Sequence, residues 1–322
     1  MSWVLLGLAT AVLYAAQGAW TKELTRRVGR GVATWSIFAF ALPPLLLYLL
    51  VRGLPAVEGS FWLVLGINAI LDLIGFTLFV RALEEGELGL TYPLLALTPV
   101  LVLPVEWILT GEHASLQGAS GIALVAAGVY LLASPGEDRG LLAPFRALLR
   151  EPGARRMLAV AAVWAVSGTI DRVAVLRSSP AFYGAALTTC LAVAFLPAAV
   201  RGARRGGGPA PGAEETGGGP APGAPGREAP AGDVGPASPS LTRTLRAHPG
   251  GLALQGLLFA AMFVTQTEAL RLTLAAYVIT LKRSGTLLTV LAGAIFFRER
   301  ETGRRLVATA ILVAGVLLVS RG

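Results

Sequence analysis

Ten apolar stretches, each about 20 residues long and separated mostly by short loops, dominate this chain. The hydrocarbon core of a bilayer is about 30 Å thick, and an α-helix needs about 20 apolar residues to cross it. A spanning helix also satisfies its backbone amides internally, as lipid requires. The sequence therefore predicts an all-α integral membrane protein with ten transmembrane helices. They are expected at 3–20, 32–51, 61–81, 89–109, 115–133, 156–176, 181–200, 250–270, 274–297 and 304–320.

Basic residues concentrate in every second loop. We call the side of the predicted membrane that holds both termini side A, and the opposite side side B. Side B holds twenty basic residues, namely Lys22, Arg26, Arg27, Arg30, Arg81, Arg139, Arg146, Arg150, Arg155, Arg156, Arg201, Arg204, Arg205, Arg227, Arg243, Arg246, Arg298, Arg300, Arg304 and Arg305. Side A holds five, namely Arg52, Arg172, Arg177, Arg271 and Arg321.

Cytoplasmic loops of membrane proteins are enriched in Lys and Arg. The bias therefore predicts a multi-pass protein of the cytoplasmic membrane, with side B in the cytoplasm and both termini outside. The net charge of +8 follows from this topology, and we expect no binding of nucleic acid, because no soluble domain is predicted that would carry a basic face.

One loop, at 201–249, is much longer than the others and is rich in Gly, Pro and Ala. The octet GGGPAPGA that begins at Gly206 recurs at Gly217. A segment of this composition buries too little apolar surface to offset its ordering entropy. We predict a disordered cytoplasmic insert, which is either a linker without a function of its own or a regulatory segment.

The two halves of the chain are related by an internal repeat. A shift of 150 residues aligns Tyr14, Gln17, Gly18, Thr21 and Lys22 with Trp164, Ser167, Gly168, Asp171 and Arg172. A shift of 187 residues aligns Ala82-Leu83 with Ala269-Leu270, Glu112 with Glu299, and 127–129 with 314–316. We therefore predict a five-helix repeat at 1–133, a cytoplasmic linker at 134–155, and a second five-helix repeat at 156–322 that contains the insert.

Because five is odd, the second repeat enters the membrane from the opposite side, which makes the two repeats inverted. Inverted repeats are the plan of many secondary transporters, with a binding site near the midplane. The symmetry provides two related conformations, one open to each side of the membrane.

Each half ends in a pattern that resembles the EamA-type transporters of the drug/metabolite transporter superfamily. An acidic residue follows the fourth helix of each half, and a Gly-containing last helix comes after it. The residues that carry this resemblance are Gly111-Glu112 with Ala127-Gly128-Val129, and Arg298-Glu299 with Ala314-Gly315-Val316. The run from Tyr277 to Ser284 is also similar to some members. The resemblance implies a central cavity lined by helices one, three, six, eight and nine. Many members have both termini in the cytoplasm, which is opposite to the orientation that the charges predict.

Polar residues form stripes on those same five helices. An ionisable side chain at mid-membrane costs about 2.5–3.5 kcal/mol, so such residues should face the interior of the bundle. The aromatic pair Tyr14 and Trp164 is predicted either to stack on a substrate ring or to pack with apolar neighbours. The candidate cavity residues are Tyr14, Gln17, Asn68, Asp72, Trp164, Ser167, Asp171, Gln266, Glu268, Lys282 and Thr286.

Lys282 and Arg283 are neighbours on helix nine and project about 100° apart. Lys282 continues into a stripe of threonines that begins at Thr286, and we expect it to face the cavity. There it contacts either the substrate or a structural ion-pair partner. Arg283 continues into an apolar stripe, and we expect a structural pair with Glu268 or Asp171, needed mainly for stability.

Three carboxylates lie within predicted spans at different depths. Asp72, midway along helix three, is either a proton-coupling group or the partner of Lys282. Glu106 and Glu268 lie nearer side A, where we expect solvated residues at the mouth of the cavity. The glycines of helix five, Gly118, Gly121 and Gly128, are expected to permit close helix packing.

An enzymatic function is disfavoured by the positions of the only two histidines, His113 and His248, which lie in loops. The sequence offers no His and Cys cluster for a metal and no phosphate-binding loop, so we expect no cofactor. We predict a secondary transporter that moves a small metabolite or amphipathic compound by alternating access, with membrane lipids as neighbours and possible proton coupling. A translocator of a lipid-linked intermediate and a non-transporting scaffold or sensor are the alternatives, and both a monomer and a homodimer remain open.

Overall fold

The computed structural model of this chain describes residues 2–85, 92–133, 150–204, 241–285 and 302–322, and every regular element in these ranges is helical. The first half contains α1 (Ser2–Val28), α2 (Arg30–Ala39), α3 (Leu42–Arg52), α4 (Phe61–Glu85), a 3-10 turn (Tyr92–Leu97), α5 (Thr98–Thr110) and α6 (Leu116–Ala133). The second half contains α7 (Pro152–Leu176), α8 (Pro180–Arg204), α9 (Leu241–Ala247), α10 (Pro249–Leu272), α11 (275–285) and α12 (Thr302–Arg321).

Six of the described helical segments are long and apolar enough to cross a membrane: Ser2–Val28, Arg30–Arg52, Phe61–Ala82, Pro152–Leu176, Pro180–Ala203 and Pro249–Leu272. Three shorter apolar helices lie at Leu94–Thr110, Leu116–Leu131 and Val307–Arg321. Large apolar side chains such as Leu50, Ile108 and Leu116 are 80%, 74% and 88% exposed. Lipid is the solvent that favours such a surface, and the chain is a multi-pass membrane protein.

The span predicted at 32–51 is broken into two helices, which the apolar pattern did not anticipate. α2 ends at Ala39 and α3 begins at Leu42, with proline in the first turn of α3. Proline lacks an N–H group and is tolerated at this position, where that group has no helical partner. The break also allows a close approach by α10, because a Cβ atom at Gly256 would overlap the backbone of Phe40.

The predicted bounds of the insert at 201–249 and of the linker at 134–155 include residues that are helical in the structure. α8 continues to Arg204, and α9 forms directly before α10. Leu241 and Leu245 lie one turn apart on α9 and pack against a cluster that includes Leu24 and Ala203, which explains why this stretch is helical. α7 begins at Pro152 instead of 156. Residues 205–240 and 134–149 lie outside the described ranges.

Helices of the first half pack mainly against helices of the second half. The main contacts pair α4 with α7, α1 with α10, α6 with α12, and α2 with α8. Aromatic side chains fill the centre of this packing: the Phe38 ring on α2 lies 5.5 Å from the Phe195 ring on α8 and 5.4 Å from the Phe259 ring on α10. The two halves thus share one interior.

Glycines allow α6 and α12 to approach closely, as predicted for Gly121 and Gly128. A Cβ atom at Gly121 would lie 2.8 Å from the Gly315 carbonyl oxygen, and one at Gly128 would lie 2.9 Å from the Leu312 Cβ atom. Gly118 lies close to Gly322, directly after α12, and also against the ring of Tyr277 on α11.

Candidate functional site

Two polar pairs join α4 to α7 in the interior of the bundle. The Asn68 amide donates to Asp171 Oδ1 at 2.8 Å, and the Ser167 hydroxyl donates to Asp72 Oδ1 at 2.6 Å. Asn68 and Asp72 lie one turn apart on α4, as Ser167 and Asp171 do on α7. The earlier residue of α4 contacts the later residue of α7, and the later residue of α4 contacts the earlier one, so the two helices are antiparallel. Four of the predicted site residues are in contact as a result.

Asp171 collects hydrogen bonds from three helices. In addition to Asn68 on α4, the Tyr183 hydroxyl on α8 donates to Oδ1, and the Gln266 amide on α10 lies 3.5 Å from Oδ2. Asp171 is 7% exposed. A carboxylate is an acceptor only, so these neutral donors satisfy it, and no cation of the described ranges is in direct contact with it.

Lys282 is linked to this group through Gln266. Its Nζ atom donates to Gln266 Oε1 at 2.7 Å and lies 5.2 Å from the centre of the Tyr14 ring. The Gln266 amide therefore lies between the ammonium of Lys282 and the carboxylate of Asp171. Of the two alternatives for Asp72, direct pairing with Lys282 is not observed, because Lys282 donates to Gln266 and Asp72 accepts a hydrogen bond from Ser167.

Arg283 lies between the two aromatic residues that the repeat aligns. Its guanidinium carbon is 5.9 Å from the Tyr14 ring centre and 5.4 Å from the Trp164 ring centre. One guanidinium nitrogen donates to the Tyr14 hydroxyl at 3.1 Å, and another lies 3.5 Å from the Thr98 hydroxyl. Tyr14 and Trp164 therefore form a cation-binding pair of rings in this conformation.

The expected pairing of Arg283 with Glu268 or Asp171 is wrong. Within the ranges that the structure describes, Arg283 has no carboxylate within 4.0 Å, its Nε atom has no hydrogen-bond partner, and the residue is 8% exposed. The reason is geometric: Arg283 is directed towards α1 and α7, where rings and a hydroxyl surround it. The apolar stripe expected beyond Arg283 lies outside the described residues, and so does the predicted site residue Thr286.

Gln17 is buried on α1, away from these charged groups. The Thr21 hydroxyl donates to the Gln17 carbonyl oxygen at 2.8 Å, and the Gln255 amide donates to the Thr21 hydroxyl at 2.6 Å. A second polar contact, between α1 and α10, is therefore made by Thr21 and Gln255, and Gln17 takes part through its backbone carbonyl.

Glu268 is separate from the interior group, although we predicted it among the cavity residues. Its Oε1 atom accepts hydrogen bonds from the Tyr48 hydroxyl at 2.5 Å and from Arg52 at 2.9 Å. Arg271 lies 3.9 Å from Oε2. These partners lie at the side A ends of α3 and α10, so the expected position near side A is correct.

Glu106 was expected to be solvated, but it is 2% exposed. Its carboxylate accepts the backbone N–H groups of Ala275 and Ala276, at 2.7 and 3.0 Å, where α11 begins. Helix N-termini present unpaired N–H groups and favour negative charge. Glu106 therefore holds the start of the helix that carries Lys282.

Arg172 and Tyr183 are residues of these networks that the sequence did not reveal. Arg172 donates to the Thr273 carbonyl oxygen and to Glu112, both at 2.9 Å, and thus ties the acidic residue of the family motif to the second half. Gly111 ends α5 with φ of 75°, a left-handed conformation that favours glycine. The repeat alignment of Arg172 with Lys22 was the available signal for Arg172, whereas Tyr183 lies in an apolar stretch.

Residues 1–134 match the sequence profile of the EamA-like transporter family. The match spans the whole of the first predicted repeat. It confirms the resemblance to the EamA-type transporters of the drug/metabolite transporter superfamily that the motif of Glu112 and Gly128 predicted. No curated protein matches this chain by sequence.

A solved structure described only as the crystal structure of a protein resembles this chain along its whole length. The TM-score is 0.65, the sequence identity is 17%, and the match covers 100% of this chain and 98% of the other. At this identity the likeness shows a shared fold, and it carries no information on substrate.

Proposed function

We propose that this EamA-type protein is a secondary transporter that moves a small charged metabolite across the cytoplasmic membrane by alternating access. The observation that carries the proposal is the group of four ionisable residues inside the bundle: Asp72, Asp171, Lys282 and Arg283. Such residues are costly at membrane depth and mark substrate or ion pathways. They are contributed by α4 from one half and by α7 and α11 from the other.

The hydrogen bonds support the proposed inverted repeats, with units at 1–133 and 156–322. The contact between Asn68 and Asp171 maps, by the shifts of 187 and 150 residues, onto the contact between Gln255 and Thr21. Both are hydrogen bonds between a side-chain amide and an oxygen of the partner helix. Two related halves of this kind are the basis of alternating access in many transporters.

Opening the bundle towards side A would require ion pairs between the halves to separate. Arg172 pairs with Glu112, and Arg52 pairs with Glu268, in each case joining one half to the other. We infer that the structure corresponds to a conformation closed on side A.

The substrate is proposed to carry a negative group. Among the residues that the structure describes, no carboxylate contacts the buried Arg283, and the ammonium of Lys282 has donors beyond the one used on Gln266. A buried cation without a counter-ion is unfavourable, and an anionic group of the substrate would relieve that cost. Asp72, with Ser167 as its described donor, is the proposed proton-coupling group.

The proposed orientation, with side B in the cytoplasm, rests on the number of basic residues, twenty on side B against five on side A. The positive-inside rule counts Lys and Arg and gives Asp and Glu little weight, so ion pairs on either side do not enter this argument.

The experiment that tests this function is an uptake screen with the purified full chain in proteoliposomes, against a panel of labelled anionic, zwitterionic and cationic metabolites. We expect saturable uptake of at least one solute with a negative group, and none in protein-free liposomes. Uptake restricted to cationic solutes would contradict the proposed charge preference.

A further inference from the structure

A cavity of about 240 Å³ lies at side A, apart from the interior group. It is lined by the end of α3, the loop that follows, the start of α8 and the end of α10. The polar and charged residues of its wall are Tyr48, Arg52, Ser179, Glu268 and Arg271. The cavity therefore lies where both halves of the chain meet.

The charges in this wall do not balance. Glu268 is the one carboxylate among the described lining residues, and it is shared by Arg52 at 2.9 Å and Arg271 at 3.9 Å. The Tyr48 hydroxyl also donates to it. Two guanidinium groups against one carboxylate leave a net charge of about +1 at the cavity.

Both arginines retain donors that are accessible from solvent. The side chains of Arg52 and Arg271 are each 51% exposed, whereas that of Glu268 is 16% exposed. Arg52 uses one guanidinium nitrogen on Glu268, and a guanidinium carries five N–H donors in a planar fork. The arginines thus present unused donors while the carboxylate lies beneath them.

The start of α8 adds positive potential to the same wall. Ser179, Pro180 and Ala181 line the cavity, and the Ser179 hydroxyl accepts the N–H group of Phe182 at 3.1 Å. The amino end of this 25-residue helix therefore faces the cavity, and such ends favour anions. This contribution acts in the same direction as the two arginines.

We infer that this cavity binds a phosphate or carboxylate group, held by Arg52 and Arg271 above Glu268. The group belongs either to a soluble anion or to the headgroup of an anionic lipid, because both present the same oxygens to a guanidinium. This inference goes beyond the proposed transport function and does not depend on it, since it concerns binding alone.

The test uses the full chain purified in a non-ionic detergent, with inorganic phosphate as the soluble probe and phosphatidylglycerol as the lipid probe. Phosphate binding is measured by calorimetric titration, and lipid retention by native mass spectrometry with phosphatidylcholine as reference. The test variant is Arg271→Gln, and the matched control is Arg177→Gln, whose arginine also lies on side A and pairs with Glu58 at 3.9 Å.

We expect at least one probe to bind, with affinity about tenfold lower in Arg271→Gln and unchanged in Arg177→Gln. Phosphate binding that follows this pattern assigns the cavity to soluble anions, and selective retention of phosphatidylglycerol assigns it to lipid headgroups. Absence of binding by both probes, or equal weakening in both variants, would overturn the inference.

Discussion

Asn68 on α4 and Gln255 on α10 are aligned by the internal repeat, and each donates its side-chain amide to the helix packed against it, at 2.8 and 2.6 Å. The acceptors, Asp171 and Thr21, are also aligned by the repeat. The same contact is thus made twice, once with a carboxylate and once with a hydroxyl. The acceptor that can carry a negative charge, Asp171, is therefore present in the second half only, and the equivalent position of the first half holds the neutral Thr21.

Replacing Arg283 is expected to impair transport more than folding. Arg283→Gln removes a cation that has no carboxylate within 4.0 Å in the described ranges, so it leaves no carboxylate unpaired. We expect near-normal amounts of folded protein and a rate of uptake lower by about tenfold or more. Arg172→Gln is the control, because it removes the cation that Glu112 and Glu106 pair with and should lower the amount of folded protein. The opposite ranking of the two variants would show that Arg283 is structural.

Removing Glu106 is expected to destabilise the protein. Glu106→Ala leaves the buried N–H groups of Ala275 and Ala276 without acceptors, at a cost of about 1–3 kcal/mol each. Thermal unfolding in detergent should shift clearly to lower temperature. The control Glu58→Ala removes a residue that is 64% exposed and 3.9 Å from its partner, and such pairs contribute at most about 1 kcal/mol. A wild-type unfolding temperature for Glu106→Ala would refute the capping role.

The orientation is tested by labelling single cysteines in a Cys190→Ser background. Arg26→Cys reports on side B and Glu58→Cys on side A, and both native side chains are well exposed, at 70% and 64%. A membrane-impermeant maleimide applied to intact cells should label Glu58→Cys, whereas Arg26→Cys should react only after permeabilisation. The reverse pattern would invert the topology and leave the fold unchanged.

Shortening the long loop is expected to be tolerated. Ala203 and Leu241, which flank residues 205–240, pack in the same apolar cluster, so a short connection spans the distance between them. Replacing 206–240 with a short Gly/Ser linker should leave the amount of folded protein and the rate of uptake near wild type. Loss of folded protein in fluorescence-detected gel filtration would show that this segment docks on the bundle.

The apolar pattern located long helical segments, because the length of a spanning helix is set by the bilayer, but it missed α9, which lies in the segment predicted to be disordered. Each predicted span overlaps a described helix, but the pattern carries no signal for the break between Ala39 and Leu42, which depends on the approach of α10 at Gly256.

Helical spacing defines a face, so the polar stripes could place Asn68 with Asp72 on one helix and Ser167 with Asp171 on another, and the structure joins these two helices through those side chains. The stripes could not show which residues of different helices are in contact. For this reason the predicted partner of Arg283 was wrong, and the contact of Tyr183 with Asp171 was missed.

The most direct measurement is uptake by Lys282→Ala in proteoliposomes, with the solute that the wild-type chain takes up best. Lys282 joins the interior group through Gln266 and faces the Tyr14 ring, so we expect loss of uptake at a near-normal amount of folded protein. Lys22→Ala is the matched control, because Lys22 is the only other lysine of the chain and is exposed at the side B end of α1. It should transport like the wild type. Normal uptake by Lys282→Ala would contradict the assignment of the interior group as the substrate site.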